Sequence, residues 1–199
     1  MTQKTRFERK KAATKEKIFN TAIDLFLQKG YEETTVDEIV EKADVAKGTF
    51  FNHFPTKDAL LSYLGQQRVA ILGDLLEKEF GKVSSSKEQI FTWLRVYGRI
   101  NEENKEITAL ISREIFKTFF YGGEAEKQNI LQLSGLLAEI IKKGQQQGEF
   151  RQDFSPKKGA DLFIGMYFFT LFQWLEREKN YSLVDELIEK AEILMAGMY

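Results

Sequence analysis

Apolar residues recur at helical spacing through almost the whole chain, and no stretch alternates with the period of two that a half-buried strand requires. Ile18, Phe19, Ala22, Ile23 and Phe26 make one such stripe, and Val184, Leu187, Ile188, Ala191, Leu194 and Met195 make another at the far end. This periodicity confines the chain to an all-α fold. Helix punctuation then divides it into nine elements. The first is expected over about residues 7–29, closed by Gly30. Thr35 with Glu38 has capping-box spacing and opens a second helix. A short third covers about residues 46–53, and Thr56 caps a long fourth reaching about residue 80. Ser85 with Glu88 repeats the capping-box spacing and opens a fifth, to about residue 100. A sixth runs from about 105 to 120 before Gly122-Gly123, and a seventh from about 124 to 147. Ser155-Pro156 starts the eighth as N-cap and first helical residue, carrying the chain to about 179, and Ser182 begins the ninth. The expected division is a small three-helix domain over residues 1–55 and a larger helical body over 56–199.

Composition excludes several functions. The 199 residues contain no Cys and one His, so disulfides, thiol nucleophiles and Cys-ligated metals are ruled out. No metal-ligand spacing and no glycine-rich phosphate loop occurs, so neither enzyme activity nor a cofactor is expected. The basic start, "MTQKTRFERKKAATKEK", lacks the apolar run of a secretory signal. The richest apolar stretch, "ADLFIGMYFFTLFQWLE", falls short of the roughly 20 residues that span a bilayer. A soluble cytoplasmic protein is expected.

The third helix is the informative one. In "ADVAKGTFFNHFPTKDALL", Phe50 and Phe54 stand four apart and can seat the helix, while Lys47, Gly48, Thr49 and Asn52 share its polar side. Two helices joined by a turn, the second short and polar on one face, suggest a helix-turn-helix. In that motif the second helix enters the major groove. Lysine can reach guanine or phosphate, asparagine can address adenine, and threonine can touch a thymine methyl. Gly48 lets the backbone approach closely. Charge is divided: residues 1–29 hold eight bases against three acids, whereas residues 30–60 hold three against seven. DNA affinity therefore depends on where the charges point, with the basic N-terminal segment as a candidate supplement.

The stretch "IFNTAIDLFLQKGYEETTVDEIVEKADVAKGTFFNHFPTKDALL" resembles the DNA-binding segment of the tetracycline-repressor (TetR) family. The marks are Ala22, Phe26, Gly30-Tyr31, Thr34-Thr35, Ile39, Val45, Lys47-Gly48-Thr49, His53-Phe54, Lys57 and Leu60. The resemblance implies an all-α, nine-helix TetR-like architecture and a sequence-specific transcriptional regulator. It implies that Lys47, Gly48, Thr49 and Asn52 face the major groove of a palindromic operator, and that Thr35, His53 and Lys57 meet phosphates. Phe51 stands where the family usually has a tyrosine, so it offers packing or sugar contact without a hydroxyl. Ala46 replaces a frequent serine.

The same resemblance implies an effector-binding, dimerising body. Trp93, Tyr97, Phe116, Phe120, Tyr167 and Trp174 are candidate walls for an apolar or aromatic effector. Arg95, Arg99, Arg113 or Glu114 are candidate polar anchors. The eighth helix is apolar nearly all round between Leu162 and Leu175, so a second copy is expected to cover it and the stripe of the ninth, giving a homodimer. The competing expectation is a helical ligand carrier or protein-interaction module, which has no use for Lys47, Asn52 and Lys57 on one face.

Overall fold

The computed structural model describes residues 5–121, 124–177 and 181–198, with the side chains of residues 114, 117–121 and 124–130 excepted. Among these residues every regular element is a helix: α1 Arg6–Lys29, α2 Val36–Lys42, α3 Lys47–His53, α4 Asp58–Phe80, α5 Ser86–Glu103, α6 Lys105–Tyr121, α7 Glu124–Gln146, α8 Pro156–Glu176 and α9 Leu183–Ala196. The expected Gly122-Gly123 break lies outside the described residues. Two compact units emerge, residues 1–65 and 66–199, so the division falls within α4.

In the first unit the caps act as the sequence implies. Thr5 with Glu8 and Thr35 with Glu38 both close reciprocal capping boxes, and Gly30 ends α1 at φ 92°, a conformation few other residues adopt. Ile18, Ala22, Ile39, Ala43, Phe50 and Leu60 are fully buried, so α1 packs on α2, α3 and the start of α4 through one apolar cluster. Tyr63 joins it, edge-on to Phe19 at 5.0 Å and to Phe54 at 5.7 Å. Asp44, at φ 49°, turns the chain between α2 and α3. Aspartate tolerates this left-handed backbone better than most residues.

In the second unit α8 packs on α7, and α9 on α5 and α8. Trp93, Leu94, Leu137, Ile141, Phe163, Leu183 and Leu187 are at zero exposure and centre the core. Gly98 brings α5 against α9: a Cβ there would lie 2.8 Å from Val184 Cγ2. Only half of the expected Ser85–Glu88 capping box forms. Ser85 Oγ accepts from the Glu88 amide at 3.3 Å, but Glu88 turns away toward Arg95. Its place is taken by Glu149, which accepts from the Ser86 and Lys87 amides at 3.0 and 3.1 Å and from Ser85 Oγ at 2.8 Å. Burial pushes the Glu149 carboxyl up, but these donors outweigh it and hold its pKa below the ordinary value. A carboxylate so placed also suits the positive end of the helix.

The last two helices divide their apolar surface differently from the expectation. Leu187, Ala191 and Met195 of α9 are consumed inside the chain's own core. Leu162 and Phe169 of α8 and Ile193 of α9 remain exposed.

Candidate functional site

The α2–turn–α3 segment presents two faces. Phe50 and Phe54 are buried at 0 and 2% exposure, while Lys47, Gly48, Phe51 and Asn52 are exposed and Thr49 and His53 half-buried. Three of the four residues named from the sequence for the major groove, Lys47, Gly48 and Asn52, therefore stand in solvent on one short helix, with Thr49 half-buried among them. Nothing lies within 4 Å of where a Gly48 Cβ would be. The chain's own packing therefore does not require glycine there. Phe51 is 45% exposed and rests edge-on against Phe50.

Neighbouring residues constrain these groups in ways the sequence did not reveal. Lys47 Nζ pairs with Asp37 Oδ1 of α2 at 2.6 Å. The Thr35 amide and hydroxyl both engage Glu38, whose carboxyl is held down to about 2 by Lys29 and by these Thr35 bonds. Lys57 Nζ donates to the carbonyls of Tyr31 and Thr34 at 2.8 and 2.9 Å and lies 4.2 Å from the Tyr31 ring centroid. Two of its three protons thus brace the α1–α2 connection against the start of α4. His53 has a lowered pKa, first because of burial and then because Lys11 and Lys15 are near. Lys15 Nζ sits 3.7 Å from the Tyr63 ring centroid, and Tyr63 donates to Glu16 at 2.7 Å. The basic half of α1 therefore reaches the end of α3, while residues 5–13 are all exposed.

In the second unit, three of the six candidate wall residues form one cluster. Trp93, Tyr97 and Tyr167 have ring centroids 5.4 to 5.7 Å apart. Trp174 is buried but donates its indole N–H to the Tyr181 carbonyl at 3.0 Å. Phe116 is half exposed and packs edge-on to Phe172. The Phe120 side chain lies outside the described residues, as does that of Glu114. Of the expected polar anchors, Arg95 reaches Glu88 at 3.4 Å, and Arg99 and Arg113 are exposed.

The polar groups that do enter the interior are others. Asn101 donates Nδ2–H to the Tyr167 hydroxyl at 2.8 Å. The Thr108 hydroxyl donates to the Asn101 backbone carbonyl at 3.0 Å and to Asn101 Oδ1 at 3.3 Å. Arg68, half-buried at the edge of this interior, donates to the Ile100 carbonyl. A periodicity signal existed for them: Arg68 falls in phase with Leu61, Leu72 and Leu76, and Asn101 with Ile90 and Leu94, so each is a polar residue within an apolar stripe. Burial pushes the Tyr97 hydroxyl up to about 12, partly offset by the Trp93 indole. That approach is loose, because Trp93 Nε1 itself has no partner at hydrogen-bonding geometry. Among the described residues no cluster of three or more His, Asp or Glu could hold a metal ion, and no helix is long and apolar enough to cross a membrane.

A short exposed polar helix, seated by buried aromatics after a tight turn, defines a helix-turn-helix DNA-binding regulator. Residues 18–64 match the pattern of bacterial regulatory proteins of the tetR family, and residues 69–197 match the C-terminal domain of TetR/AcrR family transcriptional repressors. The chain belongs to the TetR/AcrR family of transcriptional regulators. Over 182 residues it is 19% identical to the fatty acid metabolism regulator protein of Bacillus subtilis, covering 92% of this chain and 94% of that one. Its structure is similar to that of Thermus thermophilus FadR, a TetR-family repressor, in complex with lauroyl-CoA (TM-score 0.72, 29% identity, 93% and 95% of the two chains). It is also similar in fold to FadR of Bacillus subtilis in complex with stearoyl-CoA (TM-score 0.75, 19% identity, 92% and 99%).

Proposed function

We propose that this chain is a cytoplasmic homodimeric repressor that holds two recognition helices on a palindromic operator and releases it when a small, largely apolar effector enters the second unit. One observation carries the reading: the division of α3 into a buried face of Phe50 and Phe54 and an exposed face of Lys47, Gly48 and Asn52. Lys47, Thr49 and Asn52 read base edges, with Gly48 admitting the backbone and Phe51 resting against sugar. Thr35 and His53 lie along phosphates. Lys57 acts on the phosphates chiefly through the loop it braces.

Leu162, Phe169 and Ile193, exposed on α8 and α9, supply the apolar surface a second copy would cover. Two-fold symmetry then sets the recognition helices about 34 Å apart, one turn of DNA. The FadR structures hold acyl-CoA ligands, which makes an acyl chain the first effector to test against the Trp93–Tyr97–Tyr167 cluster. The link between the units is α4, whose Lys57-braced start and Arg68-anchored middle belong to one continuous chain segment. An effector that favours a shifted α4 weakens operator binding by its differential affinity, typically about 1–3 kcal/mol.

The test is fluorescence anisotropy on an operator selected from random duplexes by the full chain. Asn52→Ala should relax preference at one base pair, costing about 1–3 kcal/mol, and lauroyl-CoA should release the duplex. Selection that yields no common sequence, or release by no acyl ligand, sinks the corresponding half of the reading.

A further inference from the structure

The interior of the second unit holds more hydrogen-bond donors than acceptors at one place. Tyr167, 4% exposed, already accepts from Asn101 Nδ2, so its own proton remains to be donated. Asn101 is also buried, and its Oδ1 already accepts from Thr108 at 3.3 Å. Trp93, at zero exposure, has only the loose approach of the Tyr97 hydroxyl to its indole N–H, which completes no hydrogen bond, and its ring centroid lies 5.4 Å from that of Tyr167. Arg68 uses its guanidinium on the Ile100 carbonyl, one residue from Asn101, and brings five N–H donors in all. Burial lowers its pKa, and the charges of Tyr167 and Glu103 act in the opposite sense. An unpartnered buried donor costs stability until something accepts from it. The group these donors lack is an acceptor oxygen.

We propose that Arg68, Trp93, Asn101 and Tyr167 form a subsite that binds a carbonyl or carboxylate oxygen of the effector, so that the molecule sensed is an acyl derivative recognised at its carbonyl end. The inference rests on the effector-released reading above and adds the chemistry of the group bound. Aromatic rings of Trp93, Tyr97 and Tyr167 flank the subsite with apolar surface for the first carbons of the chain. A site built to donate hydrogen bonds discriminates strongly against an analogue that lacks the acceptor, whereas apolar walls alone discriminate weakly.

The test titrates the full chain with lauroyl-CoA, with laurate, and with S-dodecyl-CoA, the thioether that lacks only the carbonyl oxygen. One of the two carbonyl-bearing ligands should bind at least about tenfold tighter than S-dodecyl-CoA. A preference for laurate assigns the subsite to a carboxylate, and a preference for lauroyl-CoA assigns it to a thioester. Tyr167→Phe and Arg68→Gln should abolish the preference while leaving S-dodecyl-CoA binding within about twofold. If Tyr167→Phe does not fold, Arg68→Gln alone gives the same readout. Equal affinity for all three ligands, or variants that weaken all three alike, overturns the proposal, since a purely structural network would do the latter. Binding of none of them overturns it too, and the repressor reading is then judged separately by operator binding of the unliganded protein.

Discussion

Asp37 Oδ1 lies 2.6 Å from Lys47 Nζ, so the first residue of the recognition helix is held by a carboxylate from the helix before it. Both side chains are more than half exposed. Such a pair contributes little to folding, less than about 1 kcal/mol. Under the proposed operator reading its effect falls on DNA, where phosphate and Asp37 would compete for one ammonium group. Asp37→Asn should leave the urea midpoint nearly unchanged and raise affinity for every duplex severalfold, about 3-fold or more at low salt. Anisotropy titrations on operator and random duplex at 50 and 200 mM salt would check it. An equal or lower affinity in the variant would show that Lys47 does not contact phosphate or base.

The family resemblance places Lys57 on phosphate, yet its ammonium group spans the carbonyls of Tyr31 and Thr34. Lys57→Met keeps the aliphatic stem and removes the donors. Stability should fall by about 1–2 kcal/mol, because charged hydrogen bonds disappear and water can only partly replace them at a half-exposed site. Operator and random duplexes should be weakened alike. Chemical denaturation followed through the first unit measures the stability loss, and a variant as stable as wild type would return Lys57 to a purely external role.

His53 offers a pH prediction with a definite sign. Burial, then Lys11 and Lys15, lowers its pKa in the folded chain, so the unfolded chain binds the proton more readily. Its contribution to stability is complete above the unfolded value near 6.5 and is lost as pH falls through the folded value. His53→Gln should therefore reduce the drop in urea midpoint between pH 7.5 and pH 5, a window above the carboxylate range. If the variant shows the full wild-type drop, the histidine is not set by these neighbours.

The helical order was legible because apolar spacing and caps speak in the same local terms as helix formation: Thr35–Glu38, Gly30 and Ser155-Pro156 each act within a few residues of themselves. The exposed face of α3 was legible for the same reason, since Phe50 and Phe54 fix which side is buried. Partners distant in sequence were not. Glu149 replaces Glu88 at the start of α5 across 63 residues, and Lys57 finds carbonyls 23 and 26 residues away, so no local pattern encodes either choice. In the second unit the local signal is incomplete. Of the arginines beside aromatic runs, Arg99 and Arg113 are exposed and Arg95 is half-buried, while Arg68 and Asn101 sit inside apolar stripes where a polar residue is itself the signal.

The N-terminal half of α1 yields the last prediction. A helix rises about 1.5 Å per residue, so residues 6–17 extend about 18 Å before the first buried position, Ile18. That segment carries Arg6, Arg9, Lys10, Lys11, Lys15 and Lys17 against Glu8 and Glu16, and the Thr5–Glu8 capping box fixes its start. A polar helix of this length is marginal alone, and here no core packing supports its outer turns. Lys11 and Lys15 nevertheless act on His53, which ties this basic segment to the end of the recognition helix. Replacing Arg6, Arg9, Lys10 and Lys11 by Gln should lower the slope of log affinity against log salt by about 0.9 for each phosphate no longer neutralised, and weaken random and selected duplexes alike. Replacing Lys142, Lys143, Lys157 and Lys158 removes the same charge from α7 and α8 and should leave the slope in place. Equal slopes in both variants would mean that the segment acts through net charge or not at all, and the DNA contacts would then reside in α2, α3 and the start of α4.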